Sequence, residues 1–249
     1  MSSPKKFLPS FLLIAVLLLL WELYGRLGGI SKTVLPLPSD IFSATIAHRD
    51  VLFLHAGQTL LEASVGLAAA IVIGIGVAIL LFLSERIRAA VYPVLVLTQT
   101  IPMIALAPLL LLWFGFDLMP KVIIVILYCF FPIAIAVSDG LRSPDQNMVD
   151  LLRSMRATHS QIFRCVRFPA ALPAFFSGLR ISVTYAIGGA IVGEYVGAYR
   201  GLGVFLQTSA HSHAIALVFA ALMVIIVLTL GLLGLVSVAE RACMPWKRV

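Results

Sequence analysis

Apolar stretches of close to twenty residues recur along this chain, each long enough to cross the ~30 Å hydrocarbon core of a bilayer as a helix. Six can be drawn, over 7–23, 57–83, 89–114, 121–137, 178–196 and 215–238. Backbone polar groups find no water in lipid, so a span this apolar must satisfy its hydrogen bonds internally. Charged residues make up only 12% of the chain, about half the share usual in a soluble domain. The chain therefore reads as an all-α integral membrane protein of about six transmembrane helices. No polar region is long enough for a separate domain, so residues 1–249 form one membrane domain.

The first span begins "KKFLPSFLLIAVLLLLWELYG", a charged start and apolar middle like those of a signal peptide. Trp21, Glu22 and Tyr24 stand where small residues would mark a cleavage site, so it reads as a retained span. Lys and Arg then fix an orientation. With the N-terminus inside the cell, Lys5, Lys6, Arg86, Arg88, Arg142, Arg153, Arg156, Arg164, Arg167, Arg180, Arg241, Lys247 and Arg248 lie inside. Arg26, Lys32, Arg49, Lys121 and Arg200 lie outside, and 13 against 5 is the positive-inside asymmetry of a multi-pass plasma-membrane protein. Both termini are expected in the cytoplasm. The same distribution argues against nucleic acid as a partner of the +7 net charge, because the basic residues sit between spans rather than on one soluble face.

One internal segment is strongly basic. "DLLRSMRATHSQIFRCVRFPAALP" carries Arg153, Arg156, Arg164 and Arg167. Burying each in lipid would cost about 2.5–3.5 kcal/mol, so the segment belongs in water or at the membrane surface. On one continuous helix the four arginines fall within an arc of about 80°, with Leu151, Leu152, Met155, Ile162, Phe163 and Val166 opposite. Thr158 or Ser160 could instead cap a new helix and break that phase. Three readings stand at this point: an amphipathic helix on anionic membrane lipid, an unpartnered basic loop, or a docking element for a cytoplasmic protein.

Small residues recur every four positions in two spans, Gly66, Ala70, Gly74 and Ala78 in one and Gly189, Gly193 and Gly197 in another. Such stripes let helix backbones approach closely, within one chain or between two copies. In the third span, "TQTIPMIALAPLLLLWFG", Pro102 and Pro108 each remove a backbone donor. A proline kink is one reading. A broken helix lining a polar path, with Thr98, Gln99 and Thr100 beside the break, is the other.

The basic segment also carries a family pattern. The inner-membrane subunits of binding-protein-dependent ABC importers have a cytoplasmic signature: Glu-Ala-Ala, three residues, Gly, nine residues, then Ile-x-Leu-Pro. This chain keeps the spacing, with Asp150-Leu151-Leu152, Arg156 and Val166-Arg167-Phe168-Pro169, although only the proline is identical. "IPMIALAPLLLLWFG", "FPAALPAFFSGLRIS" and "GEYVGAYRGLG" resemble the taurine, sulfonate and nitrate importer permeases and their vitamin-precursor branches. The resemblance implies a dimer of permease copies, two cytoplasmic ATPase subunits, and an external solute-binding protein that delivers a small organic anion or a pyrimidine-like vitamin precursor. It implies a coupling helix in a loop of about 140–172, between the fourth and fifth spans, with Asp150, Arg153, Met155, Arg156, Ala157, Thr158, His159, Ser160 and Phe163 facing the ATPase. ATP would be used by that partner and no cofactor bound here, in keeping with the lack of a GxxxxGK[ST] phosphate loop. Arg156 departs from the signature: a side chain in left-handed geometry costs roughly 1–2 kcal/mol, so either the turn is not left-handed or Arg156 has a further role. Asp150 would cap a helix or bind a loop arginine.

The expected solute pathway combines Thr98, Gln99 and Thr100 with Ser182, Thr184, Tyr185 and Glu194. Glu194 and Glu62 are acids within spans, and such groups usually face a bundle interior or a water cavity; at the outer end of its span Glu194 reads first as structural, with the pathway as the alternative. His211 and His213 in "SAHSHA" lack the further ligands of a metal site, and Cys129, Cys165 and Cys243 show no metal-like spacing. The rival classes are a channel or secondary carrier working without an ATPase, and a membrane-embedded enzyme, which would need clustered intramembrane acids, His or Cys.

Overall fold

The architecture follows from which helices can offer small residues to a neighbour. The computed structural model describes residues 8–28, 31 and 34–248, without the side chains of residues 10, 247 and 248. Lys5, Lys6, Phe7 and Lys32 thus lie outside the described residues, as do the side chains of Lys247 and Arg248. The helices are α1 (Leu8–Arg26), α2 (Pro38–Ala47), α3 (Arg49–Leu83), α4 (Glu85–Thr98), α5 (Met103–Phe114), α6 (Leu118–Arg142), α7 (Gln146–Ser154), α8 (His159–Ile162), α9 (Phe168–Tyr195), α10 (Leu202–His211) and α11 (Ile215–Cys243). A π-helical turn, Phe163–Arg167, joins α8 to α9.

The core is the trio α3, α6 and α9. Gly66, Ala70, Gly74 and Ala78 all point inward on α3. A Cβ on Gly66 would fall 2.5 Å from the Val125 side chain, and one on Gly74 would fall 3.0 Å from Ile133, both on α6. The second stripe packs within the chain as well: Gly189 faces Val125 and Tyr128, and Gly193 faces the backbone of Lys121. Close approach of α9 to α6, rather than contact between copies, accounts for these two glycines.

Among the described residues four helices are long and apolar enough to cross a membrane: α3, α6, α11 and the run from α8 through α9. The expected third span is not one straight helix. It is α4 and α5, bent by 94° at 99–102, and counting the pair as one broken span makes five. Ile101 precedes Pro102, which disfavours helix there and supplies no backbone donor, so the ladder stops. The hydroxyls of Thr98 and Thr100 turn back onto the carbonyls of Leu95 and Leu97, at 2.6 and 2.8 Å. α1 adds a 19-residue helix with outward-facing leucines along its length. It meets the rest through α2 and through Trp21, whose ring lies 5.9 Å from that of Phe219 on α11.

Candidate coupling segment and solute face

The basic segment forms two helices, not one. Asp145 starts α7 by accepting from the Asn147 N–H at 3.0 Å. α7 stops at Ser154 in a reciprocal pair of backbone bonds, Arg156 N–H to Arg153 O at 2.9 Å and Ala157 N–H to Leu152 O at 3.0 Å. That pattern requires a left-handed residue at Arg156, whose φ is +59°. Two residues later Thr158 opens α8 with a capping box: its N–H donates to Gln161 Oε1 at 2.7 Å and its hydroxyl accepts from Gln161 N–H at 3.3 Å. So of the two caps the sequence offered, Thr158 is used. The break removes the shared phase of the four arginines, and the single amphipathic helix does not form.

The faces change accordingly. Leu151 and Met155, grouped on the apolar side of a single helix, are 62% and 71% exposed. With Met148 they make an outward apolar stripe at i, i+3 and i+7, while Val149 alone is fully buried from α7. Asp150 is in mid-helix and pairs with Arg153 at 3.0 Å, so it binds a loop arginine and caps nothing. Arg156 is exposed and its side chain has no partner among the described residues. Ala157 is half-buried beside it, His159 and Ser160 are exposed in the first turn of α8, and Phe163 is half-buried with its ring 6.4 Å from Phe168. The loop proper is 143–167, since 140–142 complete α6 and 168–172 begin α9.

On α9, Ser177, Arg180, Ile181, Thr184, Tyr185 and Gly188 are exposed along one face. Thr184 and Tyr185 thus occupy an open helix face, and the Tyr185 ring lies 6.2 Å from that of Tyr128 on α6. Ser182 does not join them: it is fully buried and its hydroxyl donates to the Cys129 carbonyl at 2.7 Å. A serine bonding across to a neighbouring helix is packing chemistry in lipid. Arg180 is held by Glu240 of α11. Gln99 and Thr100 are exposed at the α4–α5 break and Thr98 is half-buried there.

Glu194 sits elsewhere, in a sealed polar cluster at the end of the bundle opposite 143–167. Its carboxylate accepts from the Thr59 hydroxyl at 2.6 Å and from the Gly203 N–H at 2.5 Å. The same Thr59 oxygen accepts from the Leu202 N–H at 2.8 Å. Next to it Glu62 pairs with Lys121 at 3.1 Å and accepts from Gln58 at 2.8 Å, and all of Glu62, Lys121 and Glu194 are buried. A side chain on Gly201 would overlap the Glu194 carboxyl, and its φ of +133° also demands glycine. The cluster ties α3, α6, α9 and α10 together. It also explains "GLG" at 201–203, where both glycines let the chain close over a carboxylate. Sequence reasoning missed Thr59, Lys121, Gly201 and Gly203; an acid beside a Gly-x-Gly turn was the available signal. His211 and His213 are exposed, and among the described residues no group of His, Cys, Asp or Glu is arranged to hold a metal.

Residues 70–242 match the family described as binding-protein-dependent transport system inner membrane component. The chain is 40% identical over 240 residues to the formylaminopyrimidine transport permease protein of Halalkalibacterium halodurans, covering 95% of each chain. It is 31% identical over 241 residues to the taurine transport system permease protein of Escherichia coli K12, covering 94% of this chain and 87% of that one. Its fold is similar to that of a chain of the inward-facing MetNI methionine ABC transporter, with a TM-score of 0.69 at 22% identity, over 79% of this chain and 97% of that one.

Proposed function

This chain belongs to the binding-protein-dependent transport system inner membrane component family, the permeases of ABC importers of small solutes, and from that premise we propose that its solute is a small aminopyrimidine-like vitamin precursor. The observation that carries the substrate reading is the greater identity to the formylaminopyrimidine permease than to the taurine permease. The open face of α9 supports it. Tyr185, next to Tyr128, offers aromatic surface for a flat ring. Arg180, the cation on that face, is already neutralised by Glu240, so the face presents no free cationic clamp for a sulfonate. The proposed pathway is therefore Thr184 and Tyr185 with Gln99 and Thr100 at the α4–α5 break, and Ser182 and Glu194 hold the bundle around it.

The family implies ATPase and solute-binding partners, and the 143–167 segment supplies a surface suited to the first. Met148, Leu151 and Met155 form an apolar stripe that a soluble loop would otherwise bury. Arg153 and Arg156 rim it, and a partner groove with apolar walls and an acidic edge would complement both. Arg153 is already engaged by Asp150, which of these two leaves Arg156 free to meet a partner carboxylate. The termini lie in the cytoplasm in this reading, two copies assemble around the pathway, and ATP is hydrolysed by the partner.

Proteoliposomes holding this chain, its ATPase subunit and its solute-binding protein test the reading. ATP-dependent uptake of formylaminopyrimidine in preference to taurine is the expected result. Uptake of taurine with no response to the pyrimidine would overturn the substrate assignment.

A further inference from the structure

A second site lies away from the solute face, along the seam where α3, α6 and the start of α9 meet near the 143–167 end. An apolar hollow of about 420 Å³ is walled by Ile75 and Ile79 of α3, Leu141 of α6, Phe163 of the π-helical turn, and Leu172 and Phe175 of α9. Beside it lies a hollow of about 430 Å³ whose walls include Phe82, Glu85, Arg142 and Arg167. The two follow one strip. Ile75, Ile79 and Phe82 recur at i, i+4 and i+7 on α3, Arg142 follows Leu141, and Arg167 stands one turn beyond Phe163. From Phe82 back to Ile75 the strip runs about 10 Å toward the middle of α3.

The basic end is built rather than incidental. The Arg167 guanidinium lies 4.8 Å over the Phe82 ring and donates to the Leu141 carbonyl at 3.5 Å. Arg142 donates to the Leu81 carbonyl at 2.6 Å and is also held by Glu85. Its Nε is buried without a partner among the described residues. Glu85 is the acid in the hollow, and its side chain is 77% exposed, so it reaches toward solvent and leaves two guanidiniums against one carboxylate. Both lie where α3 and α6 end, at Leu83 and Arg142, the level at which a span meets the headgroups.

We infer that this seam binds one anionic phospholipid, its acyl chain in the apolar hollow and its phosphate against Arg142 and Arg167. Charge complementarity selects the occupant. A zwitterionic lipid brings its own cation to its phosphate and leaves the positive charge of Arg142 and Arg167 in excess over Glu85 unmatched, and a free anion has no use for the hollow above them. A peptide would bring backbone polar groups into walls made only of hydrocarbon side chains, where they would be unsatisfied. Basic pockets between spans on the cytoplasmic side are suited to anionic headgroups. The inference rests on the membrane placement proposed above and not on the identity of the solute.

The test is native mass spectrometry of the purified full chain released from nanodiscs of mixed phosphatidylglycerol and phosphatidylcholine. One phosphatidylglycerol should be retained in preference to phosphatidylcholine, a comparison that needs no variant. Arg167→Gln should lower that retention roughly fivefold, the effect expected of one cation at an anionic headgroup. Ile79→Trp, at a position already 39% exposed, should fill the hollow and lower it with the guanidiniums intact. Equal retention of the two lipids would overturn the inference. So would wild-type retention in both variants, or displacement of the lipid by inorganic phosphate, which would mark a site for a soluble anion. A dimer that retains no lipid and shields Ile79 from labelling would assign the seam to a second copy instead.

Discussion

Replacing Arg156 with glycine separates two effects that the structure places on one residue. The backbone there is left-handed, at φ +59°, and is fixed by the Arg156 and Ala157 N–H bonds that end α7. A residue with a side chain costs roughly 1–2 kcal/mol in that region. Glycine removes the cost but loses more freedom on ordering, about 0.5–1 kcal/mol. The net gain is about 0.5–1 kcal/mol, local to α7, which should slow hydrogen exchange of the α7 amides roughly two- to fivefold. The proposed contact with a partner carboxylate works the other way. Truncating one member of a charge pair desolvated in an interface costs about 2 kcal/mol or more, and each 1.4 kcal/mol is tenfold in affinity. Arg156→Gly should therefore stabilise the isolated chain's α7 while weakening ATPase association tenfold or more, as read by exchange mass spectrometry and by titration of the ATPase onto nanodisc-held permease. Unchanged exchange would refute the strain argument. Slower exchange with unchanged ATPase affinity would refute the pairing.

Thr158→Ala removes the hydroxyl half of the α8 capping box and should cost about 1 kcal/mol locally, seen as faster exchange over 158–163 and reduced solute-stimulated ATPase activity. Glu62→Gln breaks the buried Glu62–Lys121 pair and should cost about 3–5 kcal/mol in detergent thermal unfolding, whereas replacing both by methionine should recover most of the loss. Gly178→Leu would place its Cβ 2.7 Å from the Pro132 carbonyl oxygen and from Ala136, so α9 must shift from α6, and at least about 1–3 kcal/mol of stability should be lost in the same assay. Tyr185→Ala removes aromatic surface from the open face of α9 and should lower pyrimidine uptake while leaving the melting temperature near that of the unchanged chain.

The spans were legible because hydrocarbon length is a hard constraint, and α3, α6, α9 and α11 contain the stretches expected of them. The third span was legible only as a place where a proline disrupts a helix, and Pro102 is the one that does so, since Pro108 stands inside α5. Its 94° bend depends on where α5 finds packing against α6 and α9, which periodicity does not encode. The 143–167 segment shows the same limit. Spacing located it, and Thr158 was a visible cap, but the faces of α7 turned on whether one helix or two would form. A left-handed arginine, contrary to the ordinary preference for glycine, decided that. Polarity within a span is all that marks Ser182 and Glu194 as pathway candidates. Their partners, the Cys129 carbonyl and the Thr59, Leu202 and Gly203 cluster, come from distant parts of the chain and could not be read from spacing. The glycine stripes were legible as close-packing faces, and the structure assigns Gly66, Gly74, Gly189 and Gly193 to the interior of a single chain.

In the proposed function this chain moves its solute only when an ATPase acts on the 143–167 segment. Vesicles containing the chain with its solute-binding protein, with and without the ATPase subunit and ATP, test it most directly. Accumulation of labelled formylaminopyrimidine against its gradient only when both ATPase and ATP are present is the predicted result. Equal accumulation in their absence, driven by an ion gradient alone, would contradict it.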